Sequence, residues 1–396
     1  MNEKSLISLV KAGDIINIKI YLENGGDPNI KTITGWTGLI TAVRQSNIPS
    51  NFEIVKILLE NGADPNIKSN DGWTALMLSA RYNNTESNLE TVKLLLENGA
   101  DPNIKNNDGW TALMLSSRNS NTESNFETVK LLLENGADPN IKKNDGWTAL
   151  IMAARNSNTE SNLETVKLLL ENGADPNIKD IKGWSALIYA TRYSNTDSNI
   201  ETVKLLLKNG ADSNLKTNDG YTALTAAVFY TNPDIVKLLL DYEADPFIKL
   251  IPNMQMPKEN EKILAEYQWK RLYGRDKDTA RRYSKQTGIP ADVWEIILLN
   301  KRQQLLCQNL SSDKNKEILF LFALDMGVPV TEDMTKAKLC GLISRHIVYR
   351  NTGYEKKGLQ DMEKAKNNIL KIARMYNIDT NKSLQEIMND LSRIIQ

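Results

Sequence analysis

Side chains that could carry covalent or metal chemistry are scarce in this sequence. Its 396 residues contain one histidine, His346, and two cysteines, Cys307 and Cys340. The cysteines lack the Cys-x-x-Cys spacing of a zinc or redox site, and one histidine does not complete a zinc site with them. No Walker-type or dinucleotide-type glycine motif is present. We therefore expect a non-enzymatic protein with no catalytic residue, no metal and no cofactor.

The same two cysteines bear on the compartment. They are too few for a disulfide framework, so we expect Cys307 and Cys340 to be small core residues in a reducing compartment. The N-terminal residues open no apolar run of signal-peptide length, and no stretch reaches the ~18 apolar residues of a spanning helix. We expect a monomer in the cytoplasm or nucleus, without a membrane partner.

The aromatic residues, which could instead serve recognition, recur at a fixed interval. Glycine precedes an aromatic residue at Gly35-Trp36, Gly72-Trp73, Gly109-Trp110, Gly146-Trp147, Gly183-Trp184 and Gly220-Tyr221. Each step is 37 residues. A second motif, Gly-Ala-Asp-Pro-Asn, keeps the same step from Gly62, Gly99, Gly136 and Gly173. Two motifs in one register indicate a tandem repeat, which must be built from small supersecondary units.

One unit shows which elements position the aromatic residues. Residues 72–81 form a short run rich in small residues, which predicts a first helix that packs closely. The second helix has its apolar positions at Leu89, Val92, Leu95 and Leu96. The Ser-x-x-Glu spacing from Ser87 to Glu90 predicts a capping box. Gly99 is expected in the left-handed conformation after the helix, and Asp-Pro-Asn is expected to turn the chain.

This pattern resembles the ankyrin repeat. The family's Gly-x-Thr-Pro-Leu-His opening appears as Gly72 to Met77, and its Val-x-x-Leu-Leu-x-x-Gly-Ala-Asp-x-Asn close appears as Val92 to Asn103. The resemblance implies an all-α solenoid of helix–turn–helix units with projecting β-hairpins. Because Met77 replaces the family's histidine, apolar packing must replace the usual Thr–His hydrogen bond. The four extra residues at 83–86 are expected to lengthen the loop between the helices.

The domain organisation follows from the repeat. We expect an N-terminal capping repeat at 1–34, six repeats at 35–71, 72–108, 109–145, 146–182, 183–219 and 220–250, a linker at 251–258, and a C-terminal helical domain at 259–396. Residues 251–396 carry 25 Lys and Arg against 18 Asp and Glu, whereas residues 1–250 carry 24 against 31. Glu243 replaces the repeat's glycine in the last unit, as expected for a terminal cap.

Stacked units leave a long surface open to a partner, so we expect a target protein on the concave face of the array. Candidate contacts are the positions that vary between otherwise similar units, because their apolar and tyrosine-rich character is typical of interface cores. They are Thr41, Leu78, Leu115, Met152, Tyr189, Tyr82 and Tyr193, together with Trp73, Trp110 and Trp147. The alternative is that the tryptophans only support the hairpins.

Each first helix ends in an arginine, at Arg44, Arg81, Arg118, Arg155 and Arg192. Cations stabilise the C-terminal end of a helix, so we expect these arginines to satisfy its last carbonyl groups. A stripe that binds anions is the alternative.

The C-terminal region permits three interpretations. Residues 289–298 resemble the start of an F-box, which implies recruitment of a cullin ubiquitin ligase by a Skp1-type adaptor. The residues concerned are Pro290, Val293, Trp294 and Ile297. Similar tails follow ankyrin arrays in proteins of large DNA viruses, which implies a host-cell location. Otherwise the region is a plain helical domain of a scaffold. Residues 315–343 also resemble DNA-binding SAP modules, and 259–287 is basic and aromatic, although nucleic acid is not the expected partner.

Overall fold

The computed structural model describes residues 5–44, 50–81, 86–118, 123–156, 160–192, 197–230, 233–249, 251, 255–287, 289–308, 315–325, 328, 330–349 and 359–394. This part of the chain is helical, with one isolated antiparallel bridge between Lys179 and Ser185. The chain forms two compact units, 1–254 and 255–396. None of the described helices is long and apolar enough to cross a membrane.

The first unit is a stack of helix pairs. Its helices are α1 (Leu6–Ala12), α2 (Ile15–Glu23), α3 (Gly38–Arg44), α4 (Ser50–Glu60), α5 (Ala75–Arg81), α6 (Glu86–Glu97), α7 (Ala112–Arg118), α8 (Glu123–Glu134), α9 (Ala149–Arg155), α10 (Glu160–Glu171), α11 (Ala186–Arg192), α12 (Asp197–Lys208), α13 (Ala223–Tyr230) and α14 (Pro233–Asp241). The odd-numbered helices pack against one another in sequence, and the even-numbered helices do the same. The stacking gives the all-α solenoid that the sequence predicts.

From α3 to α11, the first helix of each pair is buried except for its terminal arginine, which explains its small and apolar residues. In α5, all residues from Ala75 to Ala80 are at most 4% exposed, because the helix lies between α3, α7 and its own partner α6. Met77, at the histidine position, is 1% exposed, so the expected apolar packing is present. The Thr74 hydroxyl accepts a hydrogen bond from the Met77 N–H at 3.3 Å and so satisfies a donor at the helix start.

The second helix of each pair ends as predicted at a left-handed glycine. Gly62 has a φ of +82°. Its N–H donates to Leu59 O at 3.0 Å, and the Ala63 N–H donates to Leu58 O at 2.9 Å. These two bonds are the Schellman pair, which satisfies carbonyl groups at the helix end. Glu243 occupies the equivalent position in the last repeat and has a φ of +62°.

Two local predictions for the array are wrong. Helix α6 begins at Glu86, so Ser87, the predicted residue before the helix, lies inside its first turn. The projecting β-hairpins are loops, and no strand occurs in the described residues, because Ser69 and Trp73 share only one short backbone bond of 2.9 Å. The predicted insertion at 83–86 falls mostly on residues 82–85, outside the described residues.

The second unit is a helical domain around one central helix. It contains α15 (Lys258–Thr287), α16 (Ala291–Leu306), α17 (Lys316–Asp325), α18 (Lys336–Tyr349), α19 (Leu359–Met375) and α20 (Leu384–Ile394). Helix α16 packs against all the others. Trp294 and Phe322 are both fully buried, and the Trp269 ring stacks on Phe322 with 4.4 Å between centroids.

Cys340 lies in the core and Cys307 packs against it, as predicted, but the expectation that the two cysteines are unpaired is wrong. Cys307 and Cys340 form a disulfide that joins the end of α16 to α18, and their Cα atoms are 5.9 Å apart. No pairing was expected, because two cysteines are too few to suggest a disulfide framework, and the two lie 33 positions apart in the sequence. Only the packing of α16 against α18 brings them together. Gln303 supports this contact, because its Nε2 donates to Cys340 O at 3.1 Å.

Candidate protein-binding surface

The loop before the first helix fixes a tryptophan in the same place in five consecutive repeats, and Tyr221 stands at this place in the last repeat. Gly72 has a φ of +82°, and a Cβ there would lie 2.7 Å from Asn107 N of the next loop, so only glycine fits. The next residue, Trp73, has its N–H bonded to Ser69 Oγ at 3.1 Å and its carbonyl to the Ser69 N–H at 2.9 Å. The indole is therefore held half-buried by a loop of defined geometry.

Each of these indoles is covered by the arginine that ends the following helix. The distances from Cζ to the ring centroid are 4.9 Å for Arg44 over Trp36, 5.2 Å for Arg81 over Trp73, 5.5 Å for Arg118 over Trp110, 5.3 Å for Arg155 over Trp147 and 4.9 Å for Arg192 over Trp184. All five arginines are exposed. We call this series of pairs the Trp–Arg ladder.

Sequence reasoning missed the pairing within the ladder. It assigned the arginines to helix carbonyls, whereas the structure places each guanidinium group over an aromatic face, a cation–π arrangement. The signal was present as a constant offset of eight residues, for example from Trp73 to Arg81. The loop and the seven residues of the short helix together bring these two side chains to the same side of the repeat.

The varying first-helix positions are almost fully buried. Thr41, Leu78, Leu115, Met152 and Tyr189 are between 3% and 8% exposed. Most of this variation coincides with packing between successive first helices. Thr41 and Met152 also line surface clefts, so a role of these positions in partner binding stays a prediction. Tyr82 and Tyr193 lie outside the described residues. Trp73, Trp110 and Trp147 are half-buried and accessible.

A cleft of about 390 Å³ lies along the ladder between Trp110 and Trp147. Arg118 and Arg155 line it beside their indoles, and Met152 contributes to its wall. The Lys143 ammonium group lies 5.3 Å from the Trp110 ring centroid. Lys143 also pairs with the Asp145 carboxylate of the cleft at 2.6 Å. The cleft therefore combines two indole rings with three cations and one acid.

The next gap along the ladder is occupied by a side chain of the protein itself. The Tyr189 ring lies between Trp147 and Trp184, with centroid distances of 4.8 Å and 5.1 Å and tilted ring planes. Its hydroxyl donates to Asp180 Oδ2 at 2.8 Å. Asp180 is 7% exposed and also accepts from the Trp184 N–H at 2.8 Å. The tyrosine thus closes this gap from inside.

The residues predicted to bind a Skp1-type adaptor are part of a core. Val293 is 3% exposed, and Trp294 and Ile297 are fully buried. The Trp294 indole N–H donates to Thr287 Oγ1 at 3.0 Å, which ties α16 to α15. Pro290 is exposed, immediately before the first residue of α16. The apolar face that resembles an F-box start is the internal face of a helical domain, so this site assignment is wrong.

The second unit has a cleft of its own, of about 280 Å³, with a cationic lining. Arg275 and Arg282 from α15 and Lys301 from α16 contribute to it. Arg302 makes two hydrogen bonds to Asp276, at 2.9 Å and 3.1 Å. Asp276 is the one acidic side chain among the described residues of this lining, where cations are in excess.

Comparison with known proteins gives one family. The family described as ankyrin repeats (3 copies) matches residues 6–106, 84–180 and 158–249. The solved ankyrin repeat domain of Bcl-3, a member of the IkappaB protein family, is 27% identical with a TM-score of 0.49, over 60% of this chain and 99% of that one. The ankyrin repeat protein EF0377 is 29% identical with a TM-score of 0.44, over 51% and 96%. An ankyrin repeat domain from Acinetobacter baumannii AYE is 30% identical with a TM-score of 0.46, over 52% and 98%. No curated protein matches the chain.

Proposed function

Since the chain belongs to the ankyrin-repeat proteins, whose repeats bind protein targets, we propose that its Trp–Arg ladder captures a partner protein by an acidic surface. The observation that carries the proposal is the row of five exposed guanidinium groups, each held over an indole in consecutive repeats. Tryptophan and arginine are the residue types that most often dominate binding energy at protein interfaces.

The stacking also favours binding on entropic grounds. A free arginine side chain loses rotamer freedom when a partner immobilises it, at about 0.5–1.5 kcal/mol for each such side chain. A guanidinium group already placed over a ring loses less. Neighbouring packed helices are roughly 10 Å apart, so the five arginines span on the order of 40 Å. That length suits one face of a folded protein.

The net charge of the repeat array limits where an acidic partner can bind. Residues 1–250 carry 24 basic against 31 acidic residues, so the array as a whole attracts no acidic partner. Charge attraction must therefore act locally, at the ladder, within a Debye length of roughly 8 Å at physiological salt. A partner with acidic side chains at the spacing of the repeats is expected to bind there and not to the rest of the array.

A paired charge reversal tests the proposal. A partner is first identified by cross-linking to the full chain, then purified and titrated. Arg81→Glu with Arg118→Glu should weaken binding at least roughly tenfold, because both charges would face the partner's acids. The matched control is Lys93→Glu with Lys130→Glu, two exposed lysines on the second helices of the same repeats. Equal losses from the two double variants, or no loss from the first, would refute the ladder as the contact surface.

Delivery of the captured protein to a cullin ligase is a further step that the sequence suggested. Its predicted contact residues Val293, Trp294 and Ile297 are buried, so this step has no surface assigned to it. Titration of the full chain with a Skp1-type adaptor tests it directly. Absence of binding at micromolar concentrations leaves the plain scaffold function.

A second candidate function rests on the cationic cleft of the second unit. Arg275, Arg282 and Lys301 line it, and a net positive cleft suits a phosphate backbone. In this alternative the helical domain tethers the array to nucleic acid. Binding of duplex DNA should then weaken steeply with salt, and Arg275→Glu with Arg282→Glu should abolish it. Loss of binding without any salt dependence would exclude this mode.

A further inference from the structure

One gap of the ladder shows which group fits between two successive indoles. Tyr189 lies between Trp147 and Trp184 in tilted ring contact, and its hydroxyl bonds to Asp180. Tilted aromatic contacts at these centroid distances are favourable beyond the burial of area. The repeat architecture therefore provides a seat for an aromatic ring between consecutive tryptophans.

The gap one repeat earlier lacks its own ring. Met152 stands at the position of Tyr189, and Lys143 stands at the position of Asp180, each 37 residues before its counterpart. The space between Trp110 and Trp147 is the open cleft of about 390 Å³. Methionine is flexible and its sulfur makes favourable contacts with ring edges, so Met152 suits a wall against which an incoming ring packs.

In the open gap Lys143 stands where the next gap has Asp180, and this difference changes which chemical group can pair with that residue. Asp180 accepts a hydrogen bond from a phenol, whereas an ammonium group only donates and so pairs with an anion. Arg118 and Arg155 add two more cations, and Asp145 is the one acid among the described lining residues. Among the described residues of the lining, cations exceed acids by two, so the cleft favours a negatively charged occupant.

From the internal tyrosine and the net positive charge, we propose that the cleft between Trp110 and Trp147 receives an aromatic side chain from an acidic segment of the partner protein. The ring takes the place that Tyr189 has in the next gap. Flanking carboxylates pair with Lys143, Arg118 and Arg155. This inference rests on the proposed function, because it names the part of the partner that the ladder recognises.

Short synthetic peptides probe the cleft without knowledge of the partner. The first has a central tyrosine with glutamates on both sides. The second has alanine in place of tyrosine, and the third has glutamines in place of the glutamates. Titration calorimetry with the full chain should show one site for the first peptide and at least roughly tenfold weaker binding for each of the others. Equal binding of the tyrosine and alanine peptides would overturn the proposal.

Two double variants test the location. Lys143→Asp with Met152→Tyr rebuilds the Asp180–Tyr189 pair in the open gap and should abolish binding of the first peptide while the helical circular dichroism stays unchanged. Asp180→Lys with Tyr189→Met makes the reverse exchange and should open a second cleft, which raises the stoichiometry from one to two. Unchanged affinity in the first variant would place the peptide elsewhere and overturn the inference.

Failure of the cleft and failure of the ladder give different results. If the peptides do not bind but a purified partner binds and is lost in the arginine variants, the ladder is the contact surface and the cleft is not its specificity site. If the partner's binding survives the arginine reversals, the proposed function itself is wrong. If the first variant loses both peptide binding and its helical signal, the reverse variant distinguishes loss of the cleft from unfolding. Unfolding cannot increase the stoichiometry.

Discussion

Different kinds of polar contact stabilise the interior of each of the two units. In the array, Asn103 Nδ2 donates to Gly136 O at 2.9 Å, and its Oδ1 accepts from the Asp138 N–H at 2.7 Å. The same two bonds link every pair of adjacent repeats from Asn29 to Asn214. In the second unit the contacts do not repeat along the described residues: Arg302 makes two hydrogen bonds to Asp276, and Asn300 bonds to Asn389.

The two patterns predict different distributions of stability within the two units. Each repeat of the array contacts only its neighbours, so its stability is approximately a sum of local terms and interface terms. The second unit depends on α16, whose buried residues contact five other helices at once. We expect damage to one repeat to stay local and damage to α16 to affect its whole unit.

The largest effect is expected from Trp294→Ala in the core of the second unit. Trp294 is fully buried against Tyr283, with 5.0 Å between ring centroids, and its indole N–H is bonded to Thr287. Removing a buried tryptophan side chain costs about 3–5 kcal/mol. Thermal unfolding followed by calorimetry should therefore show a large loss in the transition of the second unit and an unchanged transition of the array.

Leu305→Ala is the control, because Leu305 lies on the same helix and is 45% exposed. It should change stability by roughly 0.5 kcal/mol or less. A Trp294→Ala protein in which array and second unit melt together at a lower temperature would show that the two units are not independent.

A smaller and local effect is expected from Asn103→Ala. The variant loses both bonds to the next repeat, and because the groups concerned are exposed to water, we expect a cost of about 1–2 kcal/mol. Hydrogen exchange should become faster in the repeats on either side of residue 103. It should remain unchanged in α15 to α20.

Asn135→Ala is the matched control, because Asn135 Nδ2 donates one hydrogen bond to Leu131 O at 2.8 Å, within its own repeat. Its cost should be about half as large and confined to α8. Faster exchange throughout the array in the Asn103→Ala protein would contradict nearest-neighbour stabilisation.

A gain of stability is expected at the end of the array. Glu243 has a φ of +62° where the preceding repeats have glycine. A residue with a Cβ pays about 1–2 kcal/mol in this conformation, so Glu243→Gly should stabilise the last repeat by about 1 kcal/mol. Denaturant unfolding monitored by exchange of α14 would measure it.

The reciprocal substitution Gly210→Glu provides the control. A Cβ at Gly210 would meet no atom within 4 Å, so its cost comes from the backbone conformation alone. Destabilisation by Gly210→Glu without stabilisation by Glu243→Gly would show that other contacts compensate for the strain at the end of the array.

Repetition explains why the array was the easier unit to predict. Its helix order, the glycine at the end of the second helices and the buried Met77 follow from residues that recur at one constant interval. Several copies of the same pattern make a chance resemblance improbable. The contact surface was not predictable by the same logic. Variation between units suggested Leu115 and Tyr189, but variation occurs both where partners differ and where neighbouring helices are repacked, and burial distinguishes the two.

The sequence of the second unit contains no repeated motif that could support a prediction in the same way. Val293, Trp294 and Ile297 form an apolar helix face, and the same face serves an exposed docking site or an internal core. Likewise the spacing of Cys307 and Cys340 does not reveal that α16 and α18 are neighbours. Those contacts join distant parts of the chain, and no local pattern records them.

The smallest effect concerns a capping box, which the sequence predicted for the array and which the second unit contains at the start of α20. Ser383 Oγ and the Ser383 N–H both donate to Glu386 Oε2, at 2.7 Å and 2.9 Å, and the Glu386 N–H donates to Ser383 Oγ at 3.3 Å. The hydroxyl bond, then the backbone bond, lower the pKa of Glu386 below its usual 4.5.

Because the folded pKa of Glu386 is lowered, its contribution to stability is present above pH 4.5 and is lost as the pH falls through the folded pKa. Ser383→Ala should therefore lower the melting temperature of the second unit at neutral pH, and the difference from the wild type should shrink in acid. Asp390, whose pKa is lowered by the hydrogen bond from Lys382, is unchanged in both proteins and cancels from the difference. The carboxylate is exposed, so the effect should be small and reduced by salt. A difference that stays constant with pH would show that only the neutral bond to the Glu386 N–H matters.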